Sequence, residues 1–132
     1  MARTSGEHIE NLIARIQNLF NDVSIIRYDV SWKRAIIDLE GYWKDYRIIV
    51  SEIHRSDQEM RYAYYVLDAN GKVVHAFDNS PDNKAIKQKY GTDWKSYIRE
   101  EVPHQHDAQD NLTLTPMPMT FEIFVKWIKE NL

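Results

Sequence analysis

The sequence predicts an α+β fold: a helix, a five-stranded antiparallel meander, an irregular polar segment with helical stretches, and a C-terminal helix packed on the sheet. Three observations carry this. Apolar residues recur at helical spacing near both ends of the chain. β-Branched and aromatic runs fill the middle. Short polar or glycine-bearing breaks separate those runs, as antiparallel neighbours require. At 132 residues the chain has the size of one domain, and residues 1–132 form a single unit in this reading.

Ile9, Leu12, Ile13, Ile16, Leu19 and Phe20 make one apolar stripe at three- and four-residue spacing. Thr4 and Glu7 stand in capping-box spacing, so the helix is expected to start near Ser5 and to end near Asn21-Asp22. His8 falls in its first turn and is expected to be exposed. Strands are expected over 23–30, 32–43, 46–54, 60–67 and 72–78, where Val, Ile, Tyr and Trp concentrate. Asn70-Gly71 lies between the last two runs, a pair that suits a type I′ hairpin turn.

One face of the third strand carries Tyr46, Ile48, Val50, Glu52 and His54, the other Arg47, Ile49, Ser51 and Ile53. Both faces are partly apolar, and two helices cover only one of them well. The remainder predicts a partner surface or self-association as a homodimer.

Between residues 79 and 111 the periodicity fades. Ser80-Pro81-Asp82-Asn83 reads as a turn or helix start. Ala85, Ile86, Tyr90, Trp94, Tyr97 and Ile98 fit one or two short helices broken at Gly91. Val102 to Asp107 reads as a loop and Leu112-Thr113-Leu114 as a short strand. Thr120 caps a final helix with Phe121, Phe124, Val125, Ile128 and Leu132 on one face.

Composition narrows the functions. Apolar residues make up 43% and charged residues 28%, as in a globular chain. The absence of cysteine removes disulfides, thiolate metal sites and thiol catalysis. The net charge, 17 − 20 = −3, lacks the basic surplus of a dedicated nucleic-acid binder. Lys33, Arg34, Lys84, Lys87 and Lys89 could form a local basic face or could be ordinary solvated side chains. Apolar runs of a few residues fall far short of the roughly 20 that span a bilayer. The N-terminus leads directly into an amphipathic pattern, so a cytoplasmic protein without membrane contact is expected. No phosphate loop, nucleophile elbow, zincin helix or dinucleotide fingerprint occurs, and no cofactor is expected.

Two polar clusters carry candidate chemistry. His104, His106 and Asp107 offer two imidazoles and a carboxylate within four residues, and in an extended segment the two histidines point the same way. They could work as acid and base near neutral pH, hold a metal ion, or be surface residues. Asp78 ends the fifth strand and could join them or cap the Ser80-Pro81 turn. Glu52 sits mid-strand on an otherwise apolar face: it either forms a salt bridge with Arg47, Arg61 or Lys33, or is tuned by burial for acid–base work. Tyr62 and Tyr64 share one face of the fourth strand, as packing residues or as a stacking surface.

The order of these features resembles the TumE family of bacterial type II toxin–antitoxin toxins. The resemblance runs over residues 45–130: Arg47 to Glu52, the tyrosine-rich strand Tyr62-Ala63-Tyr64-Tyr65, the Asn70-Gly71 hairpin, Asp78-Asn79-Ser80-Pro81, Pro103-His104-Gln105-His106 and a C-terminal helix. Family members often follow the Asp-Asn-x-Pro turn with histidines, where Asp82 and Asn83 stand here, and the stretch from Lys87 to Arg99 is longer. The resemblance implies a mixed sheet-and-helix fold, a growth-inhibiting activity and a cognate small DNA-binding antitoxin as partner. It establishes no reaction.

Three readings follow. In the first the chain is an endoribonuclease toxin: Glu52 or His104 is the base, His106 the acid, Arg47 stabilises charge at the phosphate and Tyr64 positions the RNA. In the second the same residues form a non-catalytic surface for a protein partner. In the third His104, His106, Asp107 and Asp78 serve a metal-dependent hydrolase.

Overall fold

The computed structural model describes residues 5–132, so the cap expected from Thr4 lies outside the described residues. Helix α1 (Ser5–Leu19) leads into a continuous run of strands: β1 (Asn21–Val30), β2 (Arg34–Trp43), β3 (Tyr46–Arg55), β4 (Arg61–Leu67) and β5 (Val73–Asp78). Helix α2 (Asn83–Tyr90) and a 3-10 helix (Gly91–Tyr97) follow, then β6 (His104–His106), β7 (Leu112–Leu114) and α3 (Phe121–Asn131). The sheet has seven strands in sequence order, and every neighbouring pair is antiparallel. No helix among the described residues is long and apolar enough to cross a membrane.

The sheet is two strands wider than the meander expected from sequence. The segment read as a loop around His104 pairs with β5 through Ala76↔His106, Phe77↔Gln105 and Asp78↔His104. A three-residue polar strand carries too little β signal to stand out alone; the exposed edge of β5 recruits it. The β4–β5 hairpin also differs from the expected type I′ turn. Gly71 N–H donates to Asp68 O and only Gly71 of the pair has positive φ, +81°. Asp68 Oδ1 accepts from the backbone of Asn70 and Lys72 and holds this type I turn with its left-handed glycine.

α1 and α3 lie on the same face of the sheet. Their apolar stripes (Ile9, Leu12, Ile16 and Phe121, Phe124, Ile128) cover Ile37, Leu39, Ile48, Val50, Tyr62, Tyr64 and Val66. Phe124 stacks on Tyr64 at 5.0 Å, and Tyr64 on Tyr62 at 5.2 Å. Thr120 caps α3 by accepting from Ile123 N–H. The opposite face is covered mainly at one end, where α2 and the 3-10 helix set Ala85 and Ile86 with Val102 against Leu112 and Leu114. β1 is left as a ten-residue edge strand, with Ile25, Ile26, Tyr28 and Val30 exposed and Trp32 just beyond it 86% exposed.

Gly41 lies at a close approach in this packing. A Cβ there would stand 2.8 Å from Phe20 Cβ and 3.2 Å from Val23 Cγ2, where the turn from α1 to β1 crosses β2. Neither the strand nor the crossing chain can give way without moving backbone. Gly41→Ala is therefore expected to destabilise the fold by about 1–3 kcal/mol, seen as a lower midpoint in chemical denaturation; an unchanged midpoint would contradict this contact.

Candidate functional site

Pleat alternation decides which polar residues meet. On β3, Ile48, Val50 and Glu52 are buried under the helices, and His54 continues that face two residues on. Glu52 pairs with Tyr62 across the β3–β4 ladder, which brings Tyr64 one residue pair away on the same face. Tyr64 Oη donates to Glu52 Oε2 at 2.6 Å. His54 Nε2 lies 2.7 Å from Oε1, and His8 Nε2, delivered by the first turn of α1, lies 3.3 Å from the same oxygen.

Glu52 is only 1% exposed. Burial alone would push its pKa up. The hydrogen bonds from His54, His8 and Tyr64, with the charge of His54, outweigh that and lower it to about 2. An ionised carboxylate can only accept, so both Nε2 atoms carry hydrogen and Nδ1 is the basic nitrogen of each neutral ring. The two imidazoles lie 4.3 Å apart, centroid to centroid. The His8 side chain is 41% exposed and that of His54 16%, so His8 is the ring that solvent reaches first. Burial and the neighbouring carboxylate raise the Tyr64 pKa far above its ordinary value, which keeps the phenol a donor. A cleft of about 360 Å³ opens beside the cluster, with Asn11, Arg15, Met60 and Thr120 in its walls. Arg15 there pairs with Glu122, and both side chains are exposed.

The other candidates lie elsewhere. Asp78, His104 and Ser51 share the far face of the sheet through the pairs Ser51↔Ala63, Ala63↔Asp78 and Asp78↔His104. Thus Glu52 and Tyr64 stand on one side of the sheet, His104 and His106 on the other, and they do not form one site. Arg47 is also on the far face, toward the opposite end of β3, in an ion pair with Glu40. None of the cations expected to pair with Glu52 does so. Asp78 Oδ1 accepts from Ser80 N–H at 2.6 Å, the turn cap that was one of its two readings. Asn79 is buried with both ends of its amide bonded, accepting from Tyr62 N–H and donating to Met60 O, so this part of the Asp-Asn-Ser-Pro motif closes the end of the β4–β5 ladder. Asp107 is not part of the cluster with His104 and His106; it accepts from the backbone of Gln109 and Asn111. Asp82 takes its place beside His104 and His106.

His8 and His54 are the functional candidates that sequence reasoning missed. His54 was detectable, since it follows Glu52 by two residues on one strand face. His8 was not, because only the docking of α1 brings it across 44 residues of chain. Together these features define an α+β protein with a buried carboxylate–imidazole cluster, of which Glu52 and His8 line an open cleft. Comparison with family models, curated proteins and solved structures found no match.

The Glu52 cluster predicts a pH signature. The folded state holds Glu52 at about 2 against an ordinary 4.5, so the stabilisation is complete above 4.5 and drains away as pH falls toward 2. The full effect is of the order of 3 kcal/mol. Thermal melts of wild type should lose stability across that window, and Glu52→Gln should flatten the slope there; parallel curves would contradict the assignment.

Proposed function

We propose that this chain is the toxin of a bacterial type II toxin–antitoxin pair and that it cleaves RNA by acid–base chemistry at the Glu52 cluster. The observation that carries the chemistry is an ionised, buried carboxylate bonded to two imidazoles, of which His8 lines a cleft together with Glu52 and His54 stands behind them. The resemblance of Asp78-Asn79-Ser80-Pro81 and Pro103-His104-Gln105-His106 to TumE proteins supports the biological setting, including a small DNA-binding antitoxin as partner.

In this reading His8 Nδ1 takes the proton of a 2′-hydroxyl, and the 2′-oxygen attacks the adjacent phosphorus. His54, entering as an imidazolium, gives its Nδ1 proton to the departing 5′-oxygen. The products are a 2′,3′-cyclic phosphate and a 5′-hydroxyl end, so no water or metal ion is consumed. Glu52 stabilises whichever ring is cationic and fixes both tautomers. Tyr64 is a positioning residue beneath the carboxylate, and Arg15 turns from Glu122 to the phosphate.

One observation favours a second reading, a non-catalytic protein-binding module: the exposed apolar residues along the free edge of β1. An extended segment of an antitoxin, or β1 of a second copy, could add to that edge. Such an interface should tolerate added salt, whereas RNA binding should weaken steeply.

The experiment is RNA cleavage by purified protein in the presence of EDTA, paired with induced expression in a bacterium. Wild type should cut RNA with a bell-shaped pH profile and stop growth. His8→Gln and His54→Gln, folded by circular dichroism, should lose roughly 10²–10⁴-fold in rate and spare growth. Intact RNA with wild type, or undiminished cutting by His54→Gln, would move the binding-module reading ahead.

A further inference from the structure

The far face of the sheet carries a second cluster that the RNA-cleavage reading does not use. One ligand atom from each of Asp82, His104 and His106 lies within 4.8 Å of the other two. We propose that these three residues bind a divalent transition-metal ion of the zinc class, through two imidazoles and one carboxylate.

Their local structure prepares them for this. His104 and His106 alternate on β6 and so point to the same face, with rings 5.1 Å apart, edge to face. His104 is 1% exposed, and its Nδ1 lies 2.7 Å from Val102 O. A carbonyl only accepts, so Nδ1 holds the hydrogen and Nε2 keeps a lone pair. A backbone carbonyl fixing one ring nitrogen while the other is presented is the usual support of a metal-ligating histidine. Asp82 is the N-cap of α2: its Oδ1 accepts from Ala85 N–H at 3.1 Å, which orients the carboxylate and leaves Oδ2 for an ion. His106 adds a third sign. Its Nδ1 is buried without a hydrogen bond, although Asp110 Oδ1 is 3.2 Å away. A small turn of the ring would bond this nitrogen to Asp110 and leave Nε2 to an ion.

Geometry and charge are compatible with binding. Tetrahedral bonds near 2.0–2.1 Å place ligand atoms about 3.4 Å apart, so small side-chain rotations close the set. The positive end of α2 opposes a cation, but a helix dipole is a weak influence beside metal–ligand bonds, and the Asp82 carboxylate counters it. Three protein ligands leave a fourth position open, as in sites where the metal also meets solvent or substrate. Bound metal would tie β6 to α2, where the small second core has only Ala85, Ile86 and Val102 fully buried.

His8, Glu52 and His54 also lie close enough to hold an ion. There, however, both Nε2 atoms are already bonded to Glu52 Oε1, so a metal would have to break the cluster apart. No such bond joins Asp82 to His104 or His106.

The test is titration of the chelator-treated full chain with zinc by calorimetry and thermal melting, with cobalt(II) absorption as a report of ligand geometry. One zinc per chain should bind, raise Tm by several degrees, and give cobalt a tetrahedral-type visible spectrum. Asp82→Asn and His106→Gln should weaken binding at least tenfold, while His54→Gln should not. These partly exposed positions avoid the buried His104, whose removal would threaten folding. Absence of heat and of any Tm shift overturns the proposal, as does undiminished binding by Asp82→Asn or loss of binding in His54→Gln. RNA cleavage in EDTA is a separate readout, so either proposal can fail without the other.

Discussion

Alternation kept in step across four strands, with one irregularity at Val66/Leu67 near the end of the β4–β5 ladder, governs this molecule. From β3 to β6 the partners Ser51, Ala63, Asp78 and His104 stay in step, so each residue's face is inherited from its neighbour. A single-residue slip would exchange the two faces entirely. The buried tyrosines, Glu52 and His54 consequently share the helix side. His104, His106 and Asp82 share the other. Two chemically similar clusters are thereby insulated from each other by the thickness of the sheet.

The Glu52 cluster shows how an ionised group survives inside such a sheet. A buried carboxylate is costly unless all its acceptor capacity is used. Here three elements supply donors: α1 through His8, β3 through His54 and β4 through Tyr64. The first is a long-range tie that positions α1 against the end of β3. Tyr64 links the polar cluster to the aromatic stack, because its ring lies between Tyr62 and Phe124 while its hydroxyl holds Glu52. Packing and electrostatics therefore depend on the same side chain.

Coverage of the sheet is uneven. Two helices bury the centre of one face, and α2 with the 3-10 helix buries one end of the other. Ile25, Tyr28 and Val30 pair with Leu39, Ile37 and Ala35, so their register places them beside core residues, yet they remain exposed. Long edges with apolar side chains invite pairing. Charges on β1, such as the Arg27–Asp29 pair, moderate that tendency.

Much of the architecture was legible in local sequence. The apolar stripe of α1, the five long strands, the Thr120 cap and the strand at Leu112 each follow from short-range periodicity or turn chemistry, which needs no knowledge of distant residues. Those signals also placed Glu52 and His54 on one face. The rest required the fold. β6 is too short and polar to declare itself, and exists because the edge of β5 offers it hydrogen bonds. His104 and His106 looked like partners for Glu52 until strand register set them on the opposite side. Asp82 stands beside the histidines in place of Asp107 because Asp107 is consumed by its own turn, whereas the start of α2 uses only one oxygen of Asp82 and holds the carboxylate in place. His8 reaches Glu52 only through the docking of α1. Sequence spacing determines what neighbouring residues can do together, whereas contacts between residues dozens of positions apart arise only when helices and strands pack to bury their apolar faces.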